Sequence, residues 1–336
     1  MDACRGDSGS RIHDVAKEAG VSLSTVSRVF NQPKTVKDGT REKVLDAAQK
    51  LNYTPRAQTA RELLVINIPS ISNPFYSEIL NGAKASAELN QYDLFITQEI
   101  LAGDNIDGYL SALKRCNAQG LITLNYLNGN LAGTIREHIP LVQCCEYEDD
   151  SNVSCVGIDN IDSVEKAMQH ILAAGHDRIA LLNGPEEYKY AQLRLEGYRK
   201  ALRDAGLPIN RDWIVHLPEI SAEIAFASAV KMLSTGNIPN AFFAASDLCA
   251  AAVIRAVVYK GLRVPEDIVV VGFDNIEISS ITVPSITTIS QPRFQLGYIA
   301  CDLLCEQIKN PDAEVQRVLL NTELIIREST MSRAKD

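Results

Sequence analysis

The sequence lacks any segment that would hold the chain in a membrane or export it. Its longest apolar stretches, such as Ile268 to Phe273, have the length of a strand and fall far short of the ~20 residues that a membrane-spanning helix needs. Residues 1–10 are mostly small and polar and contain no apolar core of a secretory signal. We therefore predict a cytoplasmic protein that makes no contact with a membrane and has a disordered lead-in over residues 1–10.

Metal-binding cysteine motifs are also absent. The chain has eight cysteines but no CxxC pair, and most of them lie inside apolar runs, where thiols usually pack as small core residues. Cys301 and Cys305 are one helical turn apart, yet no histidine or third cysteine is near them in the sequence to complete a tetrahedral zinc site. The pattern predicts reduced thiols, no metal ion and no cofactor.

Motifs of common α/β enzymes are missing as well. No GxGxxG follows the first strand, and the sequence has no Walker loop, no GxSxG turn and no HExxH. The five histidines are scattered, mostly on predicted helices or at their ends. We therefore predict that the chain is not an enzyme.

Charge is distributed unevenly. Residues 11–61 hold ten Lys and Arg against five Asp and Glu, whereas the chain as a whole carries a net charge of −9. A basic segment is thus joined to an acidic body. Such a split indicates that only the segment near the N-terminus contacts nucleic acid.

Residues 11–54 contain three amphipathic segments of helical spacing. The first runs from Ile12 to Gly20, which can take the positive φ that ends a helix. Ser22 is a candidate N-cap for the second, and the third extends to Leu51. Two short helices joined by a turn that contains glycine are typical of a helix-turn-helix. A three-helix bundle without DNA binding is the alternative.

The remaining residues alternate short apolar strands with helix-length sequence, which favours doubly wound parallel sheets. About 270 residues suffice for two such sheets. A periplasmic binding protein would share this pattern, but it would carry a signal peptide and lack the basic segment. The predicted strands lie at 64–68, 93–97, 120–124, 140–144, 153–158, 178–183, 213–217, 241–245, 268–273 and 286–290.

Polar and aromatic residues directly after these strands are candidates for ligand binding, because open α/β sheets bind ligands at the carboxyl ends of their strands. Each could instead be a helix cap or a contact between lobes; Asp247, for example, begins a predicted helix. The candidates are Asn73-Pro74-Phe75-Tyr76, Gln98, Asn125, Glu146, Asp159, Ser246-Asp247, Asp274-Asn275 and Gln291.

Sequence motifs spread over residues 11–329 occur together in one known family. They include IHDVAKEAGVS (12–22), TVSRV (25–29), LNYTP (51–55), ISNPF (71–75), ASD (245–247), GLRVPED (261–267), GFD (272–274) and TTISQP (287–292). On these motifs the chain resembles the lactose-repressor (LacI/GalR) family of transcription regulators. The resemblance implies sequence-specific DNA binding.

In that family the second helix enters the major groove, so the resemblance implies that Leu23, Ser24 and Arg28 read bases. The chemistry agrees, because arginine can grip guanine with two hydrogen bonds and an apolar side chain can touch a thymine methyl group. Phosphate contacts are the role implied for Thr25, Ser27 and Asn31. For Ser27, a packed or solvated hydroxyl is the alternative.

Residues 55–63 resemble the family's hinge, a short helix that places a leucine between base steps of the minor groove. Leu63 is the matching residue. Family members typically have several more polar residues between this leucine and the first strand. The predicted hinge is therefore shortened, and Leu63 could instead begin the core strand.

The resemblance also implies two Rossmann-like lobes with an effector between them. Lobe 1 is expected at about 64–159 and 291–321, and lobe 2 at about 160–290 and 322–336. Cys145 stands where relatives often carry aspartate, with Glu146 beside it, which argues against a well-known sugar bound in the family's usual way. The resemblance adds Arg194 to the strand-end candidates, and the predicted effector-binding residues are Phe75, Asn125, Arg194, Ser246, Asp247, Asp274 and Gln291.

The sequence thus predicts a small all-α helix-turn-helix head (11–54), a hinge (55–63) and a periplasmic-binding-protein-like α/β core of two doubly wound parallel-sheet lobes (64–336). The expected function is repression from a double-stranded DNA operator, controlled by a sugar or related metabolite. The alternatives are an activator or global regulator, and a sugar-binding protein without regulatory DNA binding. Past Ile326 the sequence is short and polar, without leucine heptads, so we expect a homodimer and not a tetramer.

Overall fold

The computed structural model describes residues 12–31, 35–51, 53, 61–148 and 151–331. The chain divides into two compact units between Arg61 and Glu62. The predicted lead-in over residues 1–10 and residues 55–60 of the predicted hinge lie outside the described residues. Within the described ranges, no helix is both long and apolar enough to span a bilayer.

The first unit is a three-helix cluster of α1 (Ile12–Ala19), α2 (Leu23–Asn31) and α3 (Asp38–Lys50). Val15, Val26 and Val44 are fully buried at its centre. Gly20 takes a φ of 64° after α1, which glycine adopts without steric cost. The Ser22 hydroxyl accepts the N–H of Thr25 at 3.2 Å, so Ser22 caps α2 as predicted. The helix-turn-helix interpretation of these residues is confirmed.

The second unit is built on two six-stranded sheets, each forming one lobe. The sheet of lobe 1 has the order β11-β5-β4-β3-β1-β2 and only parallel pairs. Its strands are β1 (Glu62–Asn67), β2 (Tyr92–Thr97), β3 (Ala118–Thr123), β4 (Leu141–Cys144), β5 (Ser154–Ile158) and β11 (Arg317–Leu320). Its helices are α4 (Phe75–Leu89), α5 (Ile106–Arg115), α6 (Gly129–Arg136) and α12 (Arg293–Lys309).

The sheet of lobe 2 has the order β12-β10-β9-β8-β6-β7, and only β12 runs antiparallel to its neighbour. Its strands are β6 (Ile179–Asn183), β7 (Ile214–His216), β8 (Ala241–Ala244), β9 (Val269–Asp274), β10 (Thr287–Ser290) and β12 (Glu323–Ile325). Its helices are α7 (Asn160–Ala173), α8 (Lys189–Asp204), α9 (Ala222–Met232), α10 (Asp247–Tyr259) and the short α11 (Ile278–Ile281).

The chain passes between the lobes three times, after β5, β10 and β11. The predicted fold class is therefore confirmed, and each of the ten predicted strands is present with its ends shifted by at most two residues. Two further strands, β11 and β12, were not predicted. They lie at the edges of the two sheets and tie the last part of the chain to both lobes.

Leu63 is a residue of β1 and not of a hinge helix. It pairs with Asp93 of β2 and Ala118 of β3, and its half-buried side chain packs against the apolar cluster beneath α5 and α6. A side chain that is packed in a parallel sheet cannot also enter a DNA groove while the strand stays intact. The structure thus corrects the predicted minor-groove role of Leu63 and supports the strand alternative.

Helices α4 and α12 of lobe 1 pack with their backbones in close contact. A Cβ atom on Gly82 of α4 would lie 1.9 Å from the carbonyl oxygen of Phe294, and one on Gly297 of α12 would lie 1.8 Å from that of Ile79. Neither position can therefore carry a side chain without moving a helix. This contact fixes α12 beside the amino-terminal end of α4, which faces the cleft described next.

Candidate functional site

A cleft lies at the carboxyl ends of the strands, between the two lobes. Lobe 1 contributes residues from the start of α4 and from the ends of β3 and β4, and lobe 2 contributes the start of α8 and the ends of β8 and β9. The lining is Asn73, Phe75, Tyr76, Leu124, Cys145, Glu146, Ile158, Asn160, Tyr188, Tyr190, Arg194, Ile220, Ala245, Ser246, Asp274 and Gln291.

Five of the seven predicted effector-binding residues line this cleft: Phe75, Arg194, Ser246, Asp274 and Gln291. The structure does not place Asn125 and Asp247 in its lining. Asn125 is buried, its backbone N–H donates to the Thr123 hydroxyl at 3.2 Å, and its side-chain Nδ2 has no hydrogen-bond partner among the described residues.

Asp247 is fully buried within lobe 2. Its two carboxyl oxygens accept hydrogen bonds from the Thr288 hydroxyl at 2.5 Å and from the backbone N–H of Ile276 at 2.8 Å. Burial, and then the charge of Asp274, raises the pKa of Asp247 to about 8. Asp247 therefore fastens the turn after β9 and supports the cleft wall from behind, which corrects its predicted contact with the effector.

Arg194 of α8 is held on four sides. Its Nε donates to Asn160 Oδ1 at 2.9 Å, and one Nη donates to the carbonyl oxygen of Ala245 at 2.7 Å. The guanidinium carbon lies 3.6 Å from the ring centroid of Phe273 and 4.7 Å from that of Tyr190. Burial lowers the pKa of Arg194, but arginine stays charged in proteins. The result is a fixed cation on the wall of the cleft.

Asp274 faces this cation from the end of β9. Burial raises the pKa of Asp274 to about 6, although the Arg194 charge and a hydrogen bond from Gln291 lower it. Gln291 Nε2 donates to Asp274 Oδ1 at 2.7 Å. Asp274 has a φ of 105° and Asn275 one of 54°, and backbone strain of this kind tends to occur at functional sites.

Glu146 supplies a second acid, from the end of β4. It is 2% exposed, and burial raises its pKa to about 7, against the lowering effect of the backbone N–H groups of Lys189 and Tyr190 and of the Arg194 charge. The cleft thus combines two buried carboxyl groups with one arginine. Carboxylates and guanidinium groups hold hydroxyl and amine groups of small molecules by charge-assisted hydrogen bonds.

Four aromatic rings complete the cleft. Phe75 and Tyr76 lie edge to face with centroids 5.3 Å apart, and Tyr188 and Tyr190 lie 5.6 Å apart. Sequence reasoning missed both lobe 2 tyrosines, because they lie at the start of α8 and not directly after the end of β6. Sequence reasoning also proposed Asp159, but the neighbouring Asn160 lines the cleft instead. The Asp159 side chain caps α7 by accepting the N–H of Asp162 at 3.0 Å.

The first unit presents a second candidate site on α2. Leu23, Ser24 and Arg28 are exposed, Thr25 and Ser27 are half-buried, and Val26 and Val29 are buried. At 3.6 residues per turn the exposed positions share one side of the helix. The predicted base-reading residues thus project from one face, while the side chain of Asn31 lies outside the described residues.

Comparison with known proteins identifies the family. The model of the lacI family of bacterial regulatory proteins matches residues 11–56, and that of a periplasmic binding protein-like domain matches residues 168–330. The HTH-type transcriptional repressor PurR of Haemophilus influenzae is 32% identical over 334 residues, which cover 96% of this chain and 98% of PurR. The chain belongs to the LacI family. It is a DNA-binding transcription regulator and, like these relatives, not an enzyme.

Solved structures of the LacI family extend the similarity to the whole chain. The Lac repressor dimer bound to operator and the anti-inducer ONPF is 30% identical and has a TM-score of 0.75. The match covers 96% of this chain and 99% of the Lac repressor chain. A complex of the regulator CelR with cellobiose is 29% identical, covers 95% of this chain with 99% of its own, and has a TM-score of 0.74. The repressor CytR of Escherichia coli is 30% identical over 98% of this chain and 99% of its own.

Proposed function

We propose that this chain is a repressor whose affinity for a DNA operator is controlled by a small-molecule effector, a sugar or related metabolite, bound in the cleft. The observation that carries the proposal is the lining of the cleft. Two lobes of one folded unit bring a fixed arginine, two buried acids and four aromatic rings to one space. Such a combination of flat apolar faces and convergent polar groups is typical of small-molecule sites.

The residues we assign to the effector are those that both line the cleft and carry polar or aromatic side chains. They are the five predicted residues Phe75, Arg194, Ser246, Asp274 and Gln291, with Asn73, Tyr76, Glu146, Asn160, Tyr188 and Tyr190 added. Operator DNA lies in the cytoplasm of a bacterial cell, and we propose that the protein acts there. An activator would need the same two sites.

The proposal is tested by measuring the coupling between the cleft and DNA. A thermal-shift screen of sugars, sugar acids and purines identifies a ligand, because a specific ligand raises the melting temperature. That ligand is then titrated by calorimetry into the protein with and without an operator selected from random DNA. We expect the two dissociation constants to differ by about 5 to 150-fold. Identical constants would show that the cleft binds but does not regulate.

We expect Arg28→Ala to weaken operator binding by about 1 to 3 kcal/mol, with the loss concentrated at one base pair of each half-site, because arginine reads guanine through two hydrogen bonds. Fluorescence anisotropy with the selected operator and its single-base variants measures this. Lys43→Ala, an exposed residue of α3, is the matched control. An equal loss on operator and on random DNA would leave Arg28 a phosphate contact.

We further propose that the protein is a homodimer. Both lobes expose large apolar side chains, among them Phe95 and Ile96 on the edge strand β2, and Val258, Tyr259, Ile281 and Val283 in lobe 2. Apolar side chains that are exposed in one subunit become buried where two subunits meet. Two identical subunits would also match the two half-sites of a palindromic operator.

Light scattering should give twice the chain mass of 36.8 kDa at micromolar concentration. Val283 is 86% exposed, and Val283→Lys should raise the dimer dissociation constant at least about tenfold, because a charge cannot be buried unpaired at an interface. Leu319→Lys, on the edge strand β11, is the matched control. A mass of one or four chains for the unmodified protein would contradict the dimer.

A further inference from the structure

Glu146 of lobe 1 is hydrogen-bonded to the backbone of lobe 2. Its Oε2 accepts the N–H of Lys189 at 2.8 Å, and its Oε1 accepts the N–H of Tyr190 at 3.3 Å. These N–H groups belong to the first two residues of α8. A side chain that follows β4 in lobe 1 thus caps the amino-terminal end of α8 in lobe 2.

The residue before α8 supplies no side-chain acceptor to the first turn of this helix. Its N-cap residue, Tyr188, makes no side-chain hydrogen bond to the helix, whereas α6, α7 and α10 are capped by their own Asn128, Asp159 and Ser246. The first N–H groups of any helix need acceptors, and a carboxylate is favoured there by the helix dipole. In α8 this acceptor comes from across the cleft.

Arg293 makes a second connection between the lobes on the same side of the molecule. One of its Nη atoms donates to the carbonyl oxygen of Asn275, in lobe 2, at 3.1 Å, and the other donates to that of Pro74, before α4, at 3.5 Å. Asn275 follows Asp274, and Pro74 precedes Phe75. Both ends of this connection therefore adjoin cleft residues.

From these contacts we propose that Glu146 is an interlobe latch, which holds the two lobes together before any effector binds. The inference rests on the proposed function, because it concerns the same cleft. An effector can shift the lobe equilibrium only by its different affinity for the two arrangements. The latch favours the arrangement in which Glu146 contacts α8, and so it sets how far the effector can shift the equilibrium between the two arrangements of the lobes. Glu146 is therefore a positioning residue for the response to the effector.

Hydrogen exchange of the ligand-free, full-length protein tests the latch. In Glu146→Gln the side chain keeps its size but loses one of its two acceptors, and in Glu146→Ala it loses both. We expect faster exchange, by about tenfold or more, in peptides from two places: residues 189–191 at the start of α8, and residues 75–78 at the start of α4 across the cleft. The increase should be larger for alanine than for glutamine.

Glu148→Gln is the matched control, since Glu148 accepts a hydrogen bond from the Tyr126 hydroxyl within lobe 1. This variant should leave the exchange rates of both peptides unchanged. If only residues 189–191 exchange faster, Glu146 is a local helix cap and the latch is refuted; unchanged exchange at both places refutes it too. Cooperative melting of Glu146→Gln establishes that it folds. No effector enters this experiment, so its failure leaves the proposed function standing.

Discussion

Arg194→Met should lower the free energy of unfolding by about 3 to 5 kcal/mol, which is the usual cost of removing one partner from a buried set of charges. Methionine can occupy the space between the rings of Phe273 and Tyr190. It cannot balance the charges of Asp274 and Glu146, for both of which the Arg194 charge lowers the pKa. Denaturant unfolding followed by circular dichroism measures the change.

The control for this substitution lies on the same helix. Arg199 of α8 is exposed, so Arg199→Met should change the free energy of unfolding by no more than about 0.5 kcal/mol. A loss below about 1 kcal/mol in Arg194→Met would mean that the two acids take up protons without cost when the cation is removed. The cleft would then not depend on Arg194 for its charge balance.

Asp247→Asn should make the protein less sensitive to rising pH. The pKa of Asp247 is raised to about 8 in the folded chain, against about 3.9 when unfolded. Its contribution to stability is therefore complete below pH 4 and is lost as the pH rises through 8. Asparagine cannot ionise, so the stability of the variant relative to the unmodified protein should improve from pH 5 to pH 8 by up to about 4 kcal/mol.

The asparagine side chain can keep both contacts, because its oxygen can accept the N–H of Ile276 while its amide donates to the Thr288 hydroxyl. Asp312→Asn, at an exposed position, is the control and should follow the unmodified protein at every pH. A difference between Asp247→Asn and the unmodified protein that stays constant with pH would show that Asp247 ionises as readily in the folded chain as in the unfolded one. Asp274 and Glu146 stay in place in all of these proteins.

Much of the fold follows from local sequence. The central strands, such as β1 and β9, are continuous apolar runs because parallel strands are covered on both faces, and this made ten strands predictable. In contrast, β11 and β12 are only four and three residues long and half exposed. They are strands because the last part of the chain returns to the edges of two sheets, which no local pattern encodes.

The site was less predictable than the fold. Strand ends indicated Asp274 and Gln291 correctly, because the end of a strand fixes where the next side chain points. Tyr190 enters the cleft only through the way in which α8 packs in lobe 2, at a distance from β6 in sequence. The choice between Asp159 and Asn160 depended on which of two neighbours capped α7, and a carboxylate was the better cap.

Each lobe is assembled from both halves of the core sequence, and this affects how the chain is made. When the ribosome has reached residue 290, the sheet of lobe 1 still lacks β11 and the helix α12, and the sheet of lobe 2 lacks β12. Lobe 1 comes first in the sequence, but its helix α12 and its strand β11 are made only after β6 to β10 of lobe 2. Until residues 293–325 emerge, the growing chain exposes the face of α4 that later contacts Gly297, together with unpaired edges of both sheets. Chains in that condition are the ones that chaperones bind during synthesis.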